Sequence, residues 1–163
     1  MYTRSTEDSS GAKFAPAPTP MSEVPVRRAV ALLLRSPDGR ALLVLRPPDD
    51  PELPGVWGLP AVGCASAEEW PAAAQRVART KLGVEVRRLR LRRQGEQRRG
   101  AERLVMDLVE ADLAAGEPRV PQPFPGTQYV ACRWGAVTEL VPGAAAGSLC
   151  CRLAMEAEGC ASS

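Results

Sequence analysis

WGLPAVGCASAEEWPAAAQRVARTKLGV, residues 57–84, is the stretch of the chain that decides the fold. Its second half predicts an amphipathic helix from Glu69 to Leu82, because the apolar side chains recur at helical spacing. They are Trp70, Ala73, Ala74, Val77 and Leu82. Pro71 fits only the first turn, where its missing N–H breaks no hydrogen bond, and Gly83 is a typical C-terminal stop.

Two apolar segments before this stretch predict a β-hairpin. Residues 29–34 and 41–45 have the length of strands. Residues 36–39, Ser-Pro-Asp-Gly, join them and favour a turn, because Pro fixes φ and Gly accepts a positive φ. Residues 47–60 are rich in Pro and Asp and predict an irregular loop.

Further strand and helix patterns follow the predicted helix. Strands are predicted at residues 84–92, 103–110 and 127–134, with a turn near Gln94 and Gly95. A last helix is predicted over residues 143–158, with its apolar face formed by Leu149, Leu153 and Ala154. This order of elements predicts an α/β fold in which helices flank a mixed sheet, rather than a regular βαβ array.

The domain is predicted to occupy residues 25–159, which is a suitable length for one hydrophobic core. Residues 1–24 are predicted to form an N-terminal tail and residues 160–163 a short C-terminal tail. Within the first tail, residues 5–20 mix Ser, Gly, Pro and charge with little apolar surface, so we expect disorder there.

Charge and composition exclude several functions. The net charge of +2 gives no global attraction to nucleic acid or membrane, and neither partner is expected. No apolar run has the length of a membrane span and no signal peptide is seen, which favours a cytoplasmic location. The chain has no histidine, which excludes Ser-His-Asp and Cys-His mechanisms and the usual zinc sites. Any general base is therefore a carboxylate, thiolate, lysine or tyrosine.

The cysteines indicate reduced thiols rather than a disulfide framework or a zinc site. Their number is odd and no C-x-x-C pair occurs. They are Cys64, Cys132, Cys150, Cys151 and Cys160. Cys64 lies in the loop before the predicted helix, where a thiol activated by the helix N-terminus is one interpretation. A small buried apolar side chain is the interpretation we favour.

The stretch 57–84 resembles a Nudix box, whose pattern is G-x5-E-x7-R-E-U-x-E-E-x-G-U with U apolar. Trp57 and the Leu-Pro pair at 59–60 precede it, as in the family. Glu68 and Arg76 take the positions of the pattern's first Glu and its Arg, and Gly83 ends the helix in register. The resemblance extends over residues 26–158 and implies the Nudix fold, a mixed β-sheet sandwiched between helices (α/β/α).

Four positions depart from the pattern. Its first Gly falls on Val62, its Glu after the Arg on Val77, and its paired Glu residues on Thr80 and Lys81. In active members the three carboxylates share one helix face and hold Mg²⁺ against the diphosphate of a nucleoside diphosphate linked to another group. Mg²⁺ prefers oxygen ligands, so Val, Thr and Lys leave this cofactor with little support here.

The resemblance implies a Nudix-type hydrolase with a non-standard active site, acting on a nucleoside-diphosphate-linked, pyrophosphate-containing substrate. The alternative is a catalytically inactive Nudix-fold protein that binds a ligand or serves as a regulatory subunit. A pure interaction module is a third hypothesis. The implied partner is a small phosphorylated molecule, and a homodimer is one candidate assembly, since many family members form dimers.

Four residues are the candidates for this site. Glu68, the box carboxylate still in register, is predicted to act in catalysis or metal binding, or else to brace the loop. The family places carboxylates in this part of the fold, and Glu110 is preferred over Asp107 and Asp112 as the second catalytic carboxylate. The alternative is a surface acid at a strand end. Arg76 and Lys81 are the other two.

Arg76 and Lys81 are predicted to contact the ligand. The Lys81 ammonium would face a phosphate and replace part of the lost Mg²⁺ charge. Alternatively, Lys81 is a solvated lysine at the helix end, and Arg76 pairs with Glu68 or Glu69.

Eight arginines between residues 87 and 103 form a basic stretch, and a regular strand would place Arg88, Arg90 and Arg92 on one face. An anionic ligand or RNA is one interpretation. A solvated hairpin is favoured, because no aromatic residue is interleaved to stack bases.

Overall fold

The computed structural model describes residues 24–120 and 129–159. The two predicted tails lie outside these residues, except for Val24, and so does the start of the strand predicted at 127–134.

The described residues form seven strands and three α-helices. The strands are β1 (Val26–Arg35), β2 (Ala41–Leu45), β3 (Trp57–Gly58), β4 (Ala61–Gly63), β5 (Glu85–Arg99), β6 (Glu102–Ala115) and β7 (Ala131–Gly135). The helices are α1 (Trp70–Val77), α2 (Val141–Ala145) and α3 (Leu149–Ala157). A π-helical segment (Ala78–Leu82) continues α1, and a 3₁₀ helix (Val137–Leu140) precedes α2.

All seven strands belong to one mixed sheet. Its main order is β3-β2-β1-β6-β5, while β4 also pairs with β1 and β7 with β2. The pair β1 and β6 is parallel and the other pairs are antiparallel. The predicted mixed sheet is confirmed.

The two faces of β1 show how the sheet is covered. Val30, Leu32 and Leu34 are fully buried in the apolar cluster that includes the inner side of α1. The alternate residues, Ala29, Ala31 and Leu33, belong to the cluster formed with α3. Because successive side chains of a strand point to opposite faces, this alternation places helices on both faces, as predicted for an α/β/α sandwich.

The predicted hairpin and first helix are confirmed. The Ser36 N–H donates to the Arg40 carbonyl at 2.9 Å, and Gly39 turns the chain with φ of +89°. Pro71 lies in the first turn of α1, and Gly83 ends the helical stretch in the left-handed conformation with φ of +70°.

The turn predicted near Gln94 and Gly95 is wrong, because β5 continues to Arg99 and the chain turns at Gly100. Gly95 serves a different purpose. A Cβ added there would lie 2.6 Å from Leu153 Cδ2, so the missing side chain lets α3 approach the sheet closely.

The single late helix predicted over residues 143–158 is also wrong. The chain forms α2 and α3, separated by Gly147 with φ of +103°. Ser148 then caps α3, since its hydroxyl oxygen accepts a hydrogen bond from the Cys151 N–H at 3.3 Å. Leu149, Leu153 and Ala154 are buried, as predicted.

Candidate ligand-binding cleft

Glu68 and Arg76 form a two-point ion pair that ties the box loop to α1. Arg76 donates from Nε to one carboxylate oxygen at 3.0 Å and from Nη2 to the other at 2.8 Å. The same Nη2 donates to the Gly63 carbonyl at 2.8 Å, and the Ala65 N–H donates to Glu68 Oε1 at 2.9 Å. The Arg76 hydrogen bonds, followed by the one from Ala65, lower the pKa of Glu68 to about 2. These contacts correspond to the loop-bracing alternative.

The three substituted box positions do not share one face. Val77 is fully buried in the core beneath α1. Thr80 is exposed, and its hydroxyl donates to the Arg76 carbonyl at 2.7 Å. Lys81 is the one of the three that lines the cleft described in the next paragraph. The π-helical segment begins at Ala78, and its wider turn changes the direction in which the following side chains point.

The cleft that Lys81 lines has a volume of about 310 Å³ and lies over the α3 face of β1 and β6. Its floor is apolar and includes Ala29, Leu59, Leu104, Met106 and Leu149. Arg27, Arg46 and Arg99 add positive charge to its lining. An apolar floor with a basic margin suits a ligand that combines a ring system with phosphate groups.

Each of these arginines has an acidic neighbour. Arg27 pairs with Glu102 at 3.0 Å, and Arg99 pairs with Glu52 at 2.9 Å. Arg46 pairs with Asp50 at 3.1 Å, and its Nε is buried without a hydrogen-bond partner among the described residues.

Lys81 is a partly desolvated cation. Burial lowers its pKa, and the nearby positive charge of Arg76 lowers it further. Its Nζ lies 5.7 Å from the centre of the Tyr129 ring, a distance at which a cation–π contact is favourable. Tyr129 is itself fixed, because its hydroxyl oxygen accepts a hydrogen bond from the Ala61 N–H at 3.0 Å.

Glu110 does not lie with Glu68. It pairs in register with Leu33, whereas Gly63 of the box pairs with Ala29, four residues earlier on β1. This separation is roughly 13 Å along the strand. Burial raises the pKa of Glu110, but the hydrogen bonds that it accepts from Arg35 and Arg92 lower it by more. The pKa of Glu110 therefore lies below its ordinary value.

Asp107, rather than the predicted Glu110, is the strand carboxylate that lies near the box. Asp107 and β4 residue Val62 both pair with Val30 of β1, so they lie on the same level of the sheet. Asp107 is 6% exposed and accepts a hydrogen bond from Gln94 at 2.7 Å. Strand alternation places residues 107 and 110 on opposite faces of β6, and the pairing with β1 places Asp107 at the level of the box.

The structure pairs many arginines of the basic stretch with acids. Arg88 and Arg90 reach Asp112, and Arg92 reaches Glu110. Arg88 has φ of +55° beside a bulge in β5, so this stretch is not a regular strand. These pairs agree with the favoured interpretation as a solvated hairpin.

Cys64 is partly buried, and desolvation raises the pKa of its thiol. An activated thiol at this position is therefore not supported.

The box residues do not fit Mg²⁺. Glu68 is already neutralised by its two-point pair with Arg76, and Val77, Thr80 and Lys81 supply no carboxylate beside it. Among the described residues, no group of three or more His, Cys, Asp or Glu side chains could hold a metal ion.

Comparison with known proteins identifies the family of this domain. The family profile of the NUDIX domain matches residues 25–149. The chain belongs to the Nudix family. A search of curated proteins gave no match.

Several solved structures share this fold. A MutT NUDIX hydrolase from Burkholderia pseudomallei is 30% identical, with 69% of this chain and 84% of that chain covered and a TM-score of 0.59. A NUDIX hydrolase from Nitrosomonas europaea is 15% identical, with 82% and 88% covered and a TM-score of 0.64. The NUDIX domain of Shewanella oneidensis NrtR, in complex with ADP ribose, is 16% identical, with 76% and 81% covered and a TM-score of 0.58.

No helix within the described ranges 24–120 and 129–159 is long and apolar enough to span a membrane.

Proposed function

We propose that the cleft binds a nucleoside-diphosphate-linked compound and that Lys81 contacts its diphosphate. The observation that carries this proposal is the place of Lys81, on a former metal-ligand position and in the lining of the cleft. A desolvated ammonium gains more from an anion than a hydrated one does, because the local dielectric is lower. The apolar floor is available for the nucleoside.

Hydrolysis of that compound, with a non-standard active site, is the first candidate activity. Membership of the Nudix family supports it, and the Burkholderia pseudomallei relative is described as a hydrolase. Asp107 is a buried carboxylate close to the box, but it points to the face of β6 opposite the cleft floor, so it is given no role in this activity.

Ligand binding without turnover is the second candidate. Its specific support is the engagement of Glu68 by Arg76, which occupies the box carboxylate that remains in register. ADP ribose, found with the NrtR NUDIX domain, is a suitable probe for both candidates.

The experiment is calorimetric titration of ADP ribose into the protein in EDTA, combined with a chromatographic assay for its cleavage. We expect Lys81→Glu to weaken binding about tenfold to a hundredfold, the equivalent of ~1.5–3 kcal/mol for a hydrogen bond to a charged group. Arg79→Glu is the matched control. Arg79 lies in the same π-helical segment but is exposed and pairs with Glu85 at 3.3 Å, so the same charge change there should alter binding little.

The assay separates the two candidates. Cleavage by the parent protein supports the hydrolase, and binding without cleavage supports the binding protein. If Lys81→Glu binds ADP ribose as tightly as the parent, the proposed contact is wrong.

A further inference from the structure

A second pocket lies at the opposite end of α3 from the cleft, and the proposed function does not use it. Its volume is about 610 Å³. It is lined by the end of β1, the hairpin turn, the start of β5, the second half of β6 and Glu158 at the end of α3. Arg35 of this pocket follows Ala29 of the cleft by six positions on β1, so the two sites are separated by roughly 20 Å along the strand.

The lining of this pocket is mostly charged and contains an excess of arginine. Four arginines and three carboxylates take part, namely Arg35, Arg87, Arg88, Arg90, Glu110, Asp112 and Glu158. Positive side chains therefore outnumber negative ones in the lining. Arg92 pairs with Glu110 from outside the lining and adds one more positive charge nearby. A pocket with this balance of charge attracts an anion.

Arg87 is the arginine of this pocket whose guanidinium the protein leaves unengaged. It is exposed, and within residues 24–120 and 129–159 it forms no hydrogen bond or ion pair. Arg88 donates from Nε to Asp112 at 2.8 Å, and its two terminal nitrogens have no partner within the same ranges. Because a guanidinium has five N–H donors, these two arginines offer several donors to a ligand.

A bulge in β5 brings the arginines to one pocket. In a regular strand, residues 87 and 88 would point to opposite faces of the sheet. The register of β5 with β6 shifts between Arg87 and Arg90, and Arg88 has φ of +55°, in the region that favours glycine. With this bulge, residues 87, 88 and 90 all line the pocket. Arg88 keeps its side chain there at the cost of backbone strain, which points to a use for that side chain.

The carboxylates hold several of the arginines in fixed positions. Asp112 accepts hydrogen bonds from Arg88 and, at 3.4 Å, from Arg90. Glu110, whose side chain is 6% exposed, accepts from Arg35 at 2.6 Å. Arginines that are already ordered lose less conformational entropy when a ligand binds, so the ion pairs prepare the pocket for an anion.

We propose that this pocket is a second ligand site, which takes a compact phosphate-class oxyanion with at least two negative charges, such as a diphosphate. The planar guanidinium fork matches the geometry of phosphate oxygens, and the unengaged donors of Arg87 and Arg88 contact them. Ser36 and the hairpin turn close the pocket on the side of β1.

The test is calorimetric titration of inorganic pyrophosphate into the full-length protein in EDTA, at neutral pH and low ionic strength. We expect Arg87→Gln to weaken binding about tenfold, the loss of a charge-assisted contact. Arg98→Gln is the matched control, because Arg98 is an exposed arginine of the same strand that lies outside the pocket and donates to the Gly100 carbonyl. Absence of binding to the parent, or equal affinities of the two variants, would overturn the proposal.

Arg88→Gly separates ligand binding from folding. Glycine accepts the positive φ without strain, so this variant should melt near the parent temperature and still bind pyrophosphate more weakly. A variant that binds as the parent does would remove Arg88 from the site.

Chemical modification locates the anion, because pyrophosphate also suits the cleft. Phenylglyoxal modifies arginine, and peptide mass spectrometry gives its rate at each position. Saturating pyrophosphate should slow the reaction severalfold at Arg87 and Arg88 and leave Arg98 unchanged. Protection confined to the cleft arginines Arg27 and Arg99 would place the anion in the cleft and overturn the proposal. Lys81→Glu should not alter the protection of Arg87, so this result is independent of the proposed function.

Discussion

Glu68 and Arg76 are eight residues apart in the sequence, and they form an ion pair only while the Glu68 carboxylate is charged. The lowered pKa, about 2 against an ordinary 4.5, has a definite consequence for acid stability. A carboxylate whose pKa is depressed in the folded state contributes stability that is complete above its unfolded pKa. That contribution is lost as the pH falls toward the folded value.

We therefore predict that Glu68→Gln lowers the melting temperature most at neutral pH. The difference from the parent should shrink between pH 4.5 and pH 2, as the parent's own carboxylate becomes protonated. Thermal unfolding over this pH range measures it. Glu69→Gln, which removes the neighbouring exposed carboxylate, is the control and should give a much smaller difference at neutral pH. A Glu68→Gln difference that is constant with pH would contradict the prediction.

At the residue level, one contact of the candidate site could be predicted from the sequence and another spatial relation could not. The Glu68 and Arg76 partnership was one of the two alternatives, because both lie within a single motif of known spacing. Whether Glu110 or Asp107 lies nearer the box was not visible in the sequence. That information depends on the pairing of β6 with β1, which is distant in sequence.

Among the secondary-structure elements, those determined locally were predicted and those determined by packing were not. The hairpin at residues 36–39 and the N-terminal turn of α1 follow from Pro and Gly, whose backbone preferences act locally. Gly95 was interpreted as a turn residue by the same rule. Its actual role, close contact with Leu153, involves a residue 58 positions later and leaves no local signal.

Gly143, at the centre of α2, allows a similarly close contact. A Cβ added there would lie 2.6 Å from Cys151 Sγ and 2.9 Å from the Trp57 carbonyl oxygen, a backbone atom that cannot rotate away. We predict that Gly143→Ala destabilises the protein by about 1–3 kcal/mol, the cost of overpacking a filled core. Chemical denaturation measures this loss.

Gly63→Ala is the control for that measurement. An added Cβ at Gly63 meets only the Arg28 carbonyl oxygen, at an ordinary 3.9 Å, so its effect should stay within ~0.5 kcal/mol. Equal stability of the two variants would show that α2 moves to accept the methyl group.

Glu110 joins β6 to the neighbouring strands and to the end of α3. It accepts from Arg35 Nε at 2.6 Å and from Arg92, and Arg35 Nη2 also pairs with Glu158 at 2.5 Å. The Glu110 side chain is 6% exposed, and Arg35 is 15% exposed. Removing the carboxylate charge would leave these guanidinium groups close together without full compensation.

We predict that Glu110→Gln lowers the free energy of unfolding by about 2–3 kcal/mol, somewhat below the cost of breaking a fully buried pair because the arginines keep some solvent contact. Glu102→Gln is the control. Its pair with Arg27 is about half exposed, so the loss should be under ~1 kcal/mol. If the two variants lose the same amount, the Glu110 cluster adds no more than a surface ion pair.

At the scale of the whole molecule, the cleft is assembled from segments that are far apart in the chain. Arg27 comes from β1, Leu59 from the box loop, Lys81 from the end of the helix and Cys150 from α3. Family resemblance located the box because its motif is continuous. It gave no indication of Cys150 or Arg46, because their relation to the box exists only after the sheet and α3 have packed together.

The box and the cleft together determine how the folded protein responds to Mg²⁺. An ion that binds the native state more tightly than the unfolded state raises stability by linkage, and this requires a native site. Val77 is in the core, Lys81 is a cation, and Glu68 is paired with Arg76, so the residues of the box offer no such site.

We therefore predict that millimolar Mg²⁺ without a ligand leaves the melting temperature of the parent protein within about 1 °C of its value in EDTA, since linkage without a site contributes no stabilisation. Differential scanning fluorimetry measures the shift, with an equal ionic strength of NaCl as the control, because salt screens the many surface ion pairs. A larger rise that Glu68→Gln abolishes would mean that Mg²⁺ displaces Arg76 from the carboxylate. The box would then be a metal site despite the residues at 77, 80 and 81.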